Sequence, residues 1–109
     1  MARSPLFRAL RTLALLGHIV PTLAADPNPA VRAVGVDGLK QSLKDAHRYG
    51  APSVLLVPAV VNEKVSYADA WTRSIAEIKK VLPLARQLNV RISIENVWNN
   101  FLLSPLEAA

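Results

Sequence analysis

The chain has 109 residues, 51% of them hydrophobic, which limits it to one domain or part of one and excludes a disordered composition. It has no cysteine, so disulfides and thiolate zinc sites are ruled out, and any metal must bind through oxygen or nitrogen ligands. The net charge of +5 is uneven, because Arg3, Arg8 and Arg11 meet no acid before Asp26.

From Asp26 onward acids and bases nearly balance, and no basic stripe is interleaved with aromatics. Nucleic acid is therefore not expected as a partner. Residues 1–25 form a divergent N-terminal segment. The basic M-A-R-S-P-L-F-R-A-L-R and the apolar L-A-L-L-G-H-I-V-P-T-L-A together resemble a secretory leader. Gly17, His18 and Pro21 interrupt it, so it also reads as a basic amphipathic helix followed by a short strand around Ile19, Val20 and Leu23. A cytoplasmic location is expected, with secretion or the periplasm as the alternative. No stretch approaches the roughly 20 apolar residues of a membrane span.

The second unit is residues 26–109. Asn28 before Pro29 is a cap residue followed by proline at the first helical position. Val31, Val34, Leu39, Leu43 and Ala46 share one face, and Gly50 closes the pattern, which predicts a helix over 29–49. Gly35 and Gly38 each weaken it by about 1 kcal/mol relative to alanine, and favour close packing on a sheet. The run Val54 to Val57 suits a strand covered on both faces, ended by Pro58. Ser66 and Asp69 resemble a capping box. Trp71, Ile75, Ile78, Leu82, Ala85 and Leu88 then predict a helix over 67–88, kinked at Pro83 and closed at Asn89. Val90 to Ile94 is the next strand. Ser104-Pro105-Leu106-Glu107 is a capping box that announces a further helix.

Strands alternating with helices imply parallel pairing through right-handed crossovers. A closed barrel of eight such units needs about 250 residues. The reading is a fragment of a larger α/β fold. A smaller open sheet, or an oligomer that completes the core, is the alternative.

Glu95 is the residue most suggestive of chemistry. It follows Ile92 and Ile94 at the carboxyl end of a parallel strand, where such folds build their sites. A carboxylate there is costly unless a cation, an arginine or backbone amides meet it. Asn62 and Glu63 lie on the loop after the preceding strand and are candidates for the same pocket. Trp98 offers an apolar wall for a sugar ring, and Asn99 offers both donor and acceptor to sugar hydroxyls. Asn62, Glu63 and Asn99 more commonly serve as solvated or turn-forming residues, and Trp98 suits packing at the barrel rim equally well. His18 and His47 have no partner by spacing, and there is no phosphate loop, H-E-x-x-H or G-x-S-x-G.

S-V-L-L-V-P-A-V-V-N-E-K-V-S-Y-A-D-A-W, I-K-K-V-L-P-L-A and I-S-I-E-N-V-W-N-N-F-L-L-S-P-L-E-A-A together resemble the sugar phosphate isomerase/epimerase family. These are xylose isomerase-like TIM barrels, with relatives such as D-tagatose 3-epimerase and hydroxypyruvate isomerase, so the resemblance implies an α/β chain forming a partial (β/α)8 TIM barrel, roughly strands 2–4 with their helices. The likeness covers 26–109 and is strongest over 53–109. It implies that Glu95 binds a divalent cation (Mn, Mg or Co) and forms one half of a carboxylate pair for proton transfer. The substrate it implies is a sugar or sugar phosphate. The family's further Asp, His and Glu ligands have no counterpart here, so the expectation is a fragment that is inactive by itself. Alternatives are a fragment of an endonuclease IV-like barrel, or a non-enzymatic module that self-associates through exposed strand edges.

Overall fold

The computed structural model describes residues 23–95, 97 and 100–108. A 3-10 turn at Leu23–Ala25 leads into helix α1, Pro29–Tyr49. Strand β1 is Ser53–Leu56, helix α2 is Tyr67–Lys79, and helix α3 is Leu82–Leu88. Strand β2, Arg91–Ile94, and a short helix α4, Pro105–Ala108, complete the order. The strand expected near Ile19 and Val20 lies outside the described residues, and Leu23 belongs to the 3-10 turn instead.

The caps form as the sequence predicts. Asn28 Oδ1 accepts from Ala30 N at 2.9 Å at the start of α1. Gly50 closes α1 in the left-handed region at φ 72°, which only glycine enters without steric cost, and its N–H reaches Ala46 and His47 oxygens. Ser66 Oγ accepts from Asp69 N at 3.1 Å at the start of α2. Asn89 ends α3 at φ 53°. There His47 Nδ1 lies 3.1 Å from Leu88 O, which joins the two helix ends that precede the strands.

The strands pair in parallel, with Ser53, Val54, Leu55 and Leu56 opposite Arg91, Ile92, Ser93 and Ile94. Val54 and Leu56 face the helices and are buried, as are Val36, Leu39, Leu43 and Ala46 of α1 and Val81 and Ala85 around α3. Leu43, Val54 and Val81 are fully enclosed, and each such side chain contributes about 1.5–3 kcal/mol by burial. A helix-covered parallel pair of this kind is the repeating unit of a (β/α)8 barrel, which bears out the expected fold class.

Four expectations need correction. The helix over 67–88 is two helices, because Pro83 cannot continue the ladder and sits in the first turn of α3. The buried stripe is Ala70, Ser74, Glu77, Val81 and Ala85, whereas Trp71 and Ile75 are about 40% exposed. The reason is a carboxylate held in the packed face: Glu77 bonds Arg32 of α1, and small Ala70 and Ser74 let the backbones approach. Val34, expected on the inner face of α1, is also exposed. The strand pair is not covered on both faces either, since Leu55 is half-buried and β2 is mostly exposed.

Candidate functional site

Because β1 and β2 are parallel, their carboxyl ends lie together, and the loops after them share one end of the sheet. Glu95 is the first residue beyond β2, and its N–H donates to Leu56 O at 2.9 Å. That bond extends the ladder by one residue and fixes the Glu95 backbone against the end of β1. Its side chain is half-buried and, among the described residues, has no ion-pair partner.

The loop after β1 is shaped by Asn62. Its Oδ1 accepts from Lys64 N at 2.8 Å and from Val65 N at 3.1 Å, while the Asn62 and Val65 backbones pair across the turn. The local reason is that an asparagine side chain mimics a backbone acceptor two residues on. Glu63 and Lys64 are exposed at the tip. Asn100 Nδ2 donates to Val61 O at 3.5 Å and so links the two loops. The structure thus brings Asn62 and Glu63 to the same end of the sheet as Glu95, without a hydrogen bond between them. Trp98 and Asn99 lie outside the described residues.

Beneath these loops is a second core of Ala25, Ala59, Val65, Ala70, Phe101 and Leu102. Phe101 stacks obliquely on Tyr67, with ring centroids 5.1 Å apart, and meets Trp71 edge-on at 6.2 Å. Leu102 holds φ 56°, a conformation that costs a branched side chain about 1–2 kcal/mol, and its burial offsets this. An apolar cavity of about 250 Å³ opens beside this core, bordered by Pro58, Trp71, Ile75, Ile78 and Ile94.

Glu107 pins the far end of the loop. Its Oε2 accepts from Leu103 N at 2.6 Å, Ser104 N at 3.3 Å and the Tyr67 hydroxyl at 2.8 Å. The hydrogen bond from Tyr67, with those from the two amides, holds the Glu107 carboxyl below its ordinary range although desolvation opposes it. Desolvation, then the Glu107 hydrogen bond and charge, push the Tyr67 phenol up. The capping box foretold Glu107 as a cap, but Tyr67 as its third donor had no signal in the local spacing.

The described residues contain no group of three or more His, Cys, Asp or Glu that could hold a metal ion. Glu95 offers one carboxylate, so these residues do not by themselves fit a divalent cation. No helix among the described residues is long and apolar enough to cross a membrane. Searches of curated proteins and of solved structures return no match. A family model does match residues 8–109, beginning inside the N-terminal segment and running through Glu95. With nearly the whole sequence covered and the parallel β–α units in place, the chain belongs to the xylose isomerase-like TIM barrel family.

Proposed function

We propose that the chain supplies part of the active site of a sugar or sugar phosphate isomerase or epimerase, with Glu95 as a proton-transfer carboxylate. The observation that supports this most is its placement. Glu95 is fixed at the carboxyl end of a parallel strand, beside the loop after β1, in a chain of the xylose isomerase-like family. A carboxylate there takes the proton from the carbon next to a ketose carbonyl, leaving an enediolate. Return of the proton to the other carbon isomerises the sugar, and return to the opposite face of the same carbon epimerises it. In this reading Asn62 contributes through Nδ2, because its Oδ1 is engaged in the turn. Glu63 and Asn99 meet hydroxyls, and Trp98 covers the apolar face of the ring. The near balance of charge beyond Asp26 favours a sugar over a DNA backbone.

Glu95 would also give one oxygen to a divalent cation (Mn, Mg or Co) whose other ligands come from outside the described residues. A two-sided transfer needs a second acid–base group, so the 109-residue chain is predicted to give no net turnover of ketoses or ketose phosphates.

The test is amide NMR of the chain titrated with Mn²⁺. A single carboxylate holds the ion weakly, so the expected result is broadening only at excess Mn²⁺, centred on Glu95 and Leu56 and lost in Glu95→Gln. Equal broadening in Glu95→Gln would rule the assignment out, and turnover of a ketose or ketose phosphate by the chain would overturn the predicted inactivity.

A further inference from the structure

We propose that two copies of this chain associate through the outer edge of β2, which pairs antiparallel with itself about a two-fold axis at Ser93. The inference does not rest on the proton-transfer reading of Glu95, and the two are alternative engagements of one carboxylate, which meets Arg91 in the dimer and substrate in the site. Arg91 N donates to Pro52 O and Glu95 N to Leu56 O, both across to β1. The N–H and C=O of one residue leave a strand on the same side, and the side alternates along it. The polar groups of Arg91, Ser93 and Glu95 therefore serve β1, and those of Ile92 and Ile94 point out of the other edge. Among the described residues no third strand receives them.

An antiparallel pair alternates residues that exchange two hydrogen bonds with residues that exchange none. With the axis at Ser93, Ile92 meets Ile94 of the second copy and the two exchange both bonds. Ser93 then faces its own copy, and Arg91 faces Glu95 of the second copy, in non-bonded pairs where side chains lie closest. Both faces match. The side chains of Ile92 and Ile94 join on the helix-covered face, where Ile94 is 40% exposed and borders the apolar cavity. On the opposite face, exposed Arg91 supplies the cation that Glu95 has no ion pair with among the described residues. Moving the axis to Ile92 sets Arg91 against Ser93, and moving it to Ile94 sets Ser93 against Glu95. Either shift loses the opposite-charge pairs that stabilise a ladder. An axis between residues places outward groups against inward ones and makes no ladder. The charge pattern thus selects one register and one occupant, a second copy.

Sedimentation of the wild-type chain should give a dimer, twice the 11.8 kDa of the monomer. Arg91→Glu and Glu95→Arg each set like charges opposite one another at both ends of the edge. Each should raise the dissociation constant at least tenfold while circular dichroism keeps its helical signal. Mixed together, the two variants should dimerise again, because each introduced charge then meets its opposite. A monomeric or irregularly aggregated wild type, a single variant that dimerises as tightly as wild type, or a mixture no tighter than its components would overturn the proposal.

Ser93→Cys gives a second readout, independent of charge and of how the charge variants fold. The chain has no other cysteine, and a non-bonded antiparallel pair brings Cβ atoms within disulfide reach. Mild oxidation should cross-link Ser93→Cys efficiently and Arg91→Cys poorly, and the reverse order would overturn the register.

Discussion

Truncating Glu77 to alanine tests how α1 and α2 are held together. Its side chain is 8% exposed, with Oε1 3.3 Å from Arg32 Nε and Oε2 2.7 Å from Lys80 Nζ. The two arms are unequal. Lys80 is 60% exposed, so that pair is screened by water and contributes at most about 1 kcal/mol. Arg32 is 19% exposed, and a charge-assisted bond in such a site contributes about 1.5–3 kcal/mol. Removing one partner of a fully buried pair costs about 3–5 kcal/mol. That limit is not reached here, because Arg32 Nη1 keeps its bonds to Asp26 O at 2.7 Å and Pro27 O at 3.1 Å. Glu77→Ala should therefore cost about 2–3 kcal/mol, and Lys80→Ala less than about 1 kcal/mol. For a domain of this size the first corresponds to a fall in Tm of about 10–20 °C. Urea unfolding followed by far-UV circular dichroism measures both. Equal losses for the two variants, or no loss for Arg32→Ala, would refute the reasoning.

Leu102 inverts a common order of substitutions. At its positive φ, glycine relieves about 1–2 kcal/mol of strain that alanine retains, so Leu102→Gly should unfold at higher urea than Leu102→Ala. Asn89→Gly should be nearly neutral, whereas Asn89→Val should cost about 1–2 kcal/mol, because a branched residue resists the same region. The lowered Glu107 carboxyl contributes stability that is full above its ordinary value of 4.5 and is lost as pH falls through the lower, folded value. The raised Tyr67 phenol contributes below its ordinary 10.0 and fails as pH climbs past its folded value. In acid titrations of unfolding free energy, Tyr67→Phe should flatten the acid slope, and an unchanged slope would contradict the assigned cause.

Much of this architecture is legible in the residues. Asn28-Pro29, Gly50, Ser66 and Asn89 mark helix ends by local chemistry, and tertiary packing did not override them. The parallel strands follow from the intervening helices. The inner face of α2 was not legible, because periodicity counts apolar residues while Ala70, Ser74 and Glu77 make the contact. A buried glutamate satisfied by an arginine 45 residues away leaves no local trace. For the site, the position of Glu95 was readable from the end of its strand. The use of Asn62 Oδ1 within its own turn was hidden, because an asparagine in a loop serves a turn or a ligand by the same atoms.

The bond between Tyr67 and Glu107 spans 40 residues of sequence, and its wider effect is entropic. The segment that begins with Glu95 is fastened at one end to Leu56 O and at the other to the Glu107 carboxylate. A chain pinned at both ends samples fewer conformations than one pinned at one end. Whatever settles against this loop meets ends that are already ordered, so less of its binding free energy is spent on arranging them. Loosening the phenol, more than 25 residues from Glu95 along the chain, should therefore weaken any ligand of that loop without touching a contact to it.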